Sequence, residues 1–189
     1  MADDGTDDRN QYLYLILALA IWMIQVHEFT RKNAHFNKHR TGHVINNYKW
    51  LPGRILINIL NFAFGILLTF SFFTLYMVRF SMTDDLFHFT FAVFAAYVFV
   101  NFIWMMVFFY YMWFHPAMVL ALLQTGLIFV YMILAFLVES NWRYLAGTLA
   151  MPTVVFDFFL IICCYVIAKD LDQIEEKDAL NKPPVDAEM

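Results

Sequence analysis

At 189 residues, the chain is 62% hydrophobic and only 15% charged, with a mean hydropathy of +0.60. That balance excludes an ordinary soluble domain and leaves too little polar sequence for a separate soluble module. The formal net charge of −4 collects in two acidic tails, so it indicates no partner and gives no basic surface for nucleic acid.

Five apolar runs reach or approach the roughly 20 residues that a membrane helix requires. They span 11–27, 55–78, 86–111, 117–138 and 144–168. The expected fold class is therefore all-α: a polytopic membrane protein, a five-transmembrane-helix bundle over 11–168 between acidic tails at 1–10 and 169–189. In Met1–Asn10, Asp3, Asp4, Asp7 and Asp8 stand against Arg9. A cleavable secretory signal has a basic start, so the first run is expected to be an uncleaved anchor. Five spans put Arg31, Lys32, Lys38, Arg40, Lys49, Arg54, Lys169, Lys177 and Lys182 on one side and Arg9, Arg79 and Arg143 on the other. The positive-inside rule then predicts a cytosolic first loop and C-terminus.

The first loop, from about Glu28 to Pro52, carries most of the charge. His35, His39 and His43 recur at helical spacing, which invites a metal reading. Arg31, Lys32, Lys38 and Arg40 crowd the same stretch, no cysteine joins in, and Gly42 interrupts a helix, so a solvated basic loop near anionic headgroups is favoured. His88 and His115 are solitary. No metal is expected. The loop closes with Tyr48, Trp50, Pro52 and Arg54, an aromatic and basic interface anchor.

The second run places Asn58, Asn61 and Gly65 on one helical face, as expected of close helix contact. In the third, Asn101, Trp104 and Phe108 fall at i, i+3 and i+7 and share a face. Lipid offers an amide no partner, so Asn101 must face protein or a pocket. The bland reading is a packing face, and the sharper one is the wall of a ligand cavity. The turn Phe114-His115-Pro116 leads to a fourth run containing Gln124, Thr125 and Gly126.

The fifth run holds Pro152, the adjacent Cys163 and Cys164, and Asp157, the one carboxylate deep in a span. Neighbouring cysteines on a helix diverge by about 100°, so they read as small core or lipid-facing residues. Palmitoylation is the minor alternative. Ionising Asp157 in hydrocarbon costs several kcal/mol, so it is neutral, paired, or beside a wet cavity. A functional acid and a neutral acid bonded between helices are equally open. Asn58, Asn61, Asn101, Gln124 and Asp157 lie at similar depth, near mid-membrane or in the cytosolic half. Whether they converge laterally is not written in the sequence.

Taken together, these residues resemble the translocator protein family (TspO/MBR, the tryptophan-rich sensory or peripheral-type benzodiazepine receptor proteins). Its third-helix pattern Asn-x-x-Trp-x-x-x-Phe-Phe is matched by Asn101, Trp104, Phe108 and Phe109. Ala117, Leu122, Leu123 and Gly126 match its fourth helix without a gap. Trp50 and Pro52 match its Trp-x-Pro, with Arg54 following, and Pro152 and Phe156 match its fifth helix. The chain departs from the family at Gly53, Thr153 and Cys164, where a second Pro, a Tyr and an Asn are usual.

The resemblance implies a binder of sterols or porphyrins in a cavity under the first loop, in the mitochondrial outer membrane or endoplasmic reticulum. Asn101 and Trp104 would line the cavity and Trp50 and Pro52 would lid it. Phe108, Asn58, Asn61, Gln124 and Asp157 complete the candidate ligand-binding set. A sterol or a porphyrin such as haem would be cargo, with no obligatory cofactor, and a homodimer is admitted. Leu160, Tyr165 and Lys169 fit a sterol pattern that the family suggests at the end of the fifth helix, although a snorkelling Lys beside an interfacial Tyr is the favoured account of them. No nucleophile–base pair or phosphate loop is present, so no enzyme is expected. A scaffolding subunit and a proton-coupled carrier using Asp157 are the alternatives.

Overall fold

The computed structural model describes Ile24 and residues 54–180, with side chains placed over 56–173. Ile24 is helical; the rest of the first run, the first loop and the end of the chain lie outside the described residues. The elements in order are α1 (Arg54–Met77), a 3-10 turn (Arg79–Ser81), α2 (Asp84–Met105), a π-helical continuation (Met106–Tyr111), α3 (Phe114–Leu137) and α4 (Trp142–Leu180). Among the described residues, four spans are long and apolar enough to cross a membrane: Leu56–Met77, Asp84–Tyr111, Phe114–Leu137 and Trp142–Gln173. The described chain is all-helical and reads as an integral membrane protein.

Local chemistry sets the helix ends where hydropathy alone misses them. Helix α2 begins at Asp84 instead of 86 because the Thr83 hydroxyl accepts from the Leu86 N–H. Asp84 and Asp85 in the first turn suit the positive end of the helix dipole. Helix α3 begins at Phe114 instead of 117, since Pro116 falls in the first turn, where backbone N–H groups have no intrahelical acceptor. The largest correction is at the C-terminal end of α4. The expected span ends at 168, yet the helix runs to Leu180, about three turns further. Residues 169–180 are mostly good helix formers and contain no Gly or Pro, so the helix outlasts the apolar run. Pro152 is accommodated inside α4.

A second correction concerns the third run, expected to be one α-helix through 111. At Met106 it widens into a π-helix, which ends where Met112 adopts a left-handed φ of 57°. Trp113 N–H then closes onto the Val107 carbonyl at 3.2 Å. Consecutive residues on a helix diverge by about 100°. Even so, Phe108 and Phe109 are both buried here, each against Trp104.

The helices alternate in direction. Helix α4 packs along both α1 and α3, and α2 packs along α3, whereas the backbones of α1 and α2 stay further apart and meet through side chains. Sorting of residues follows membrane logic. On α3, Ala117, Ala121, Gln124, Thr125, Ile128 and Tyr131 face inward, while Leu122, Leu123, Phe129, Val130, Ile133 and Leu137 face out. Lipid is as apolar as leucine, so small and hydrogen-bonding residues are used between helices and large apolar ones outside. Exposed Phe80, Trp142 and Tyr144 mark the Arg79 end; Tyr110, Tyr111 and Trp113 mark the Arg54 end. Both sets suit the bilayer interfaces.

The α3–α4 seam is tightest at Gly147. A Cβ there would meet the Phe136 ring, with Cε1 and Cε2 both at 2.7 Å. Gly147→Ala is expected to lower stability by about 1–3 kcal/mol through overpacking, in spite of better helix propensity. A thermal melt in detergent checks this, and a variant as stable as the parent would show that the ring swings aside freely.

Candidate functional site

Among the described residues the interior divides into two apolar clusters. Toward the Arg79 end are Leu68, Phe72, Phe94, Val98, Ile128 and Val154. Toward the Arg54 end are Ile57, Trp104, Phe108, Ala121, Leu160 and Cys164. On each helix a polar side chain sits between a residue of one cluster and a residue of the other. Asn61 lies between Ile57 and Leu68, and Asn101 between Val98 and Trp104. Gln124 lies between Ala121 and Ile128, and Asp157 between Val154 and Leu160. The four helices thus carry one polar layer across the middle of the bundle.

The two asparagines pair reciprocally. Asn61 Nδ2 donates to Asn101 Oδ1 at 3.2 Å, and Asn101 Nδ2 donates to Asn61 Oδ1 at 3.1 Å. This amide pair ties α1 to α2 where their backbones stand apart. Asn101 also borders the hydroxyl of Tyr97, one turn back on the same face. Tyr97 donates across to Asp157 Oδ1 at 3.4 Å, a long bond linking α2 to α4. The chain Asn61–Asn101–Tyr97–Asp157 therefore joins three helices.

Other polar atoms in the layer are not satisfied. Gln124 and Asp157 are fully buried, yet Gln124 Nε2, Gln124 Oε1 and Asp157 Oδ2 have no hydrogen-bond partner. Just below, Trp104 is also fully buried; its indole N–H faces the Cys164 thiol without closing a hydrogen bond. Buried polar atoms are nearly always paired, and each unpaired one costs about 1–3 kcal/mol. The Trp104 ring stacks on Phe108 at 4.9 Å and meets Phe109 edge-on at 5.9 Å.

The remaining candidates separate. Asn58 is buried one turn from Asn61. Leu160 is buried in the interior, while Tyr165 is 53% exposed and Lys169 faces out, so the three members of the sterol pattern do not share a face. Cys163 and Cys164 are free thiols, and both are core residues, not lipid-facing ones. Trp50, Pro52, His35, His39 and His43 lie outside the described residues. Among the described residues no group of three His, Cys, Asp or Glu side chains could hold a metal. His115 Nε2 instead meets Asp172 Oδ1 at 3.1 Å on the surface, through the extended end of α4.

Sequence reasoning overlooks Tyr97, although its position four residues before Asn101 places it on the same face. It also overlooks a second polar tie nearer the Arg79 end. There Ser71 donates to the Ala146 carbonyl at 2.7 Å and shares a 2.9 Å bond with the Tyr131 hydroxyl, joining α1, α3 and α4. Thr153 adds a bond to the Phe64 carbonyl at 3.3 Å. No protein-family model, curated protein or solved structure matches the chain.

Proposed function

We propose that this membrane protein binds and passes on hydrophobic ligands of sterol or porphyrin type, taken up between its helices at the polar layer. One observation carries the reading: polar side chains of four helices lie at one interior level, and Gln124, Asp157 and Trp104 keep buried polar atoms unpartnered there. Packing alone gives no reason to retain such atoms, because apolar residues of similar size would remove the cost. A ligand seated among apolar walls and oriented by a few polar groups gives one.

The resemblance to the translocator protein family supports the same reading and extends it. In that picture the first run is the fifth span, the first loop and C-terminus are cytosolic, and Trp50 and Pro52 cover the site. Basic residues from Arg31 to Arg54 then hold a porphyrin's propionates at the mouth, outside the polar layer. The seam between α1 and α2, held by side chains, is the natural place for a ligand to part the helices. The role is binding and transfer, not catalysis.

Scaffolding is the second reading, and the reciprocal Asn61–Asn101 pair favours it, since those amides satisfy each other. Titration of the full chain in nanodiscs separates the two. Saturable tryptophan quenching by dehydroergosterol or protoporphyrin IX, reversed by unlabelled competitor, is expected of a binder. A response that rises only with the ligand's concentration in the bilayer would leave scaffolding as the function.

A further inference from the structure

The unpartnered atoms also specify what kind of ligand head the layer accepts, on the reading that this is a ligand site. Gln124 offers a donor at Nε2 and an acceptor at Oε1, and Trp104 Nε1, about one turn nearer the Arg54 end, is a further donor. Asp157 Oδ2 adds an oxygen on the neighbouring helix. No cation balances this group: among the described side chains, Arg79 and Arg143 lie at the far end and Lys169 faces outward. A carboxylate brought here would lose its hydration beside Asp157 with no counter-charge. A hydroxyl both donates and accepts, and it enters without a charge to desolvate.

We propose that the polar layer selects neutral, otherwise apolar ligands bearing a hydroxyl and rejects carboxylates, with Gln124 as the selecting side chain. The hydroxyl takes a hydrogen bond from the Gln124 amide N–H or the Trp104 indole N–H and gives one to the Gln124 carbonyl or to Asp157. A methyl ether of the same molecule can only accept, so it leaves one protein acceptor unpaired.

The test uses the full chain in nanodiscs with a pyrene-tagged long-chain alcohol, its methyl ether and the matching carboxylic acid, compared at equal mole fraction in the bilayer. Energy transfer from tryptophan is expected to saturate for the alcohol, with the ether and the acid roughly tenfold weaker or worse. Gln124→Leu should weaken the alcohol by about tenfold and bring alcohol and ether together. The ligand-free Gln124→Leu protein should melt no lower than the parent, because it loses only unpartnered atoms. A Gln124 that held the bundle together would lower the melt instead, which overturns the assignment. If alcohol, ether and acid bind alike, selection is refuted while binding stands. Selection is refuted likewise if protoporphyrin IX, a dicarboxylic acid, saturates and no alcohol does; if dehydroergosterol alone saturates, it and its methyl ether take the place of the pyrene alcohol and ether in the comparison. If nothing saturates, both readings fall. The three ligands on the unmutated chain decide the matter even where the variant does not fold.

Discussion

Trp104→Ala should destabilise the bundle by about 3–5 kcal/mol and weaken ligand binding by roughly tenfold or more. The side chain is fully buried, stacks on Phe108 and meets Phe109 edge-on, so its removal opens a large cavity in the cluster toward the Arg54 end. The π-helical turn that buries both phenylalanines loses the ring they pack against. Trp104→Phe separates the two roles: it keeps most of the stacking surface and removes the indole N–H. Stability close to the parent's, with binding still reduced, is expected for the Phe variant. Melting in detergent and ligand titration in nanodiscs read the two effects separately. An alanine variant that binds as tightly as the parent would remove Trp104 from the site.

The second large effect is non-additive. Asn101→Leu leaves the Asn61 amide with neither of its bonds to Asn101, at a cost of about 1–3 kcal/mol. Asn61→Leu should do the same to Asn101. The double variant replaces the pair by apolar contact and is expected within about 1 kcal/mol of the parent, because no amide is then left unpaired. A double-mutant cycle on unfolding measures the coupling. A coupling near zero would mean that the two amides do not hold α1 to α2.

What the sequence makes legible here is position along each helix, and what it hides is azimuth. Runs of about 20 apolar residues announce a span whatever surrounds them, and Asn61, Asn101, Gln124 and Asp157 can be placed in depth by counting from the span ends. Their lateral meeting depends on how each helix is turned toward its neighbours. In a span that is apolar all round, no polar stripe records that turn. Tyr97 escapes notice for a related reason: a tyrosine in such a run is as much interface or core as it is a hydrogen-bond donor. Its bond to Asp157 exists only because α2 and α4 cross at that level.

The ends of α4 and α2 show a different limit. Hydropathy stops at 168, but helix propensity does not, and the added turns bring Asp172 to His115. The π-turn at Met106 has no signature in an apolar run and emerges only with the packing of Phe108 and Phe109 around Trp104. The split between Leu160 and Tyr165 shows that loose spacing can mimic a motif whose members point apart.

Photolabelling tests the central claim most directly. A diazirine-bearing sterol is added to the full chain in nanodiscs, crosslinked, and mapped by peptide mass spectrometry with and without excess unlabelled sterol. Binding at the polar layer predicts competable labels within about a turn of Asn101, Gln124 and Asp157. Labels confined to outward residues such as Phe129, Ile133, Phe158 and Ile162, unchanged by competitor, would mean that the sterol only dissolves around the bundle and that the layer is packing alone.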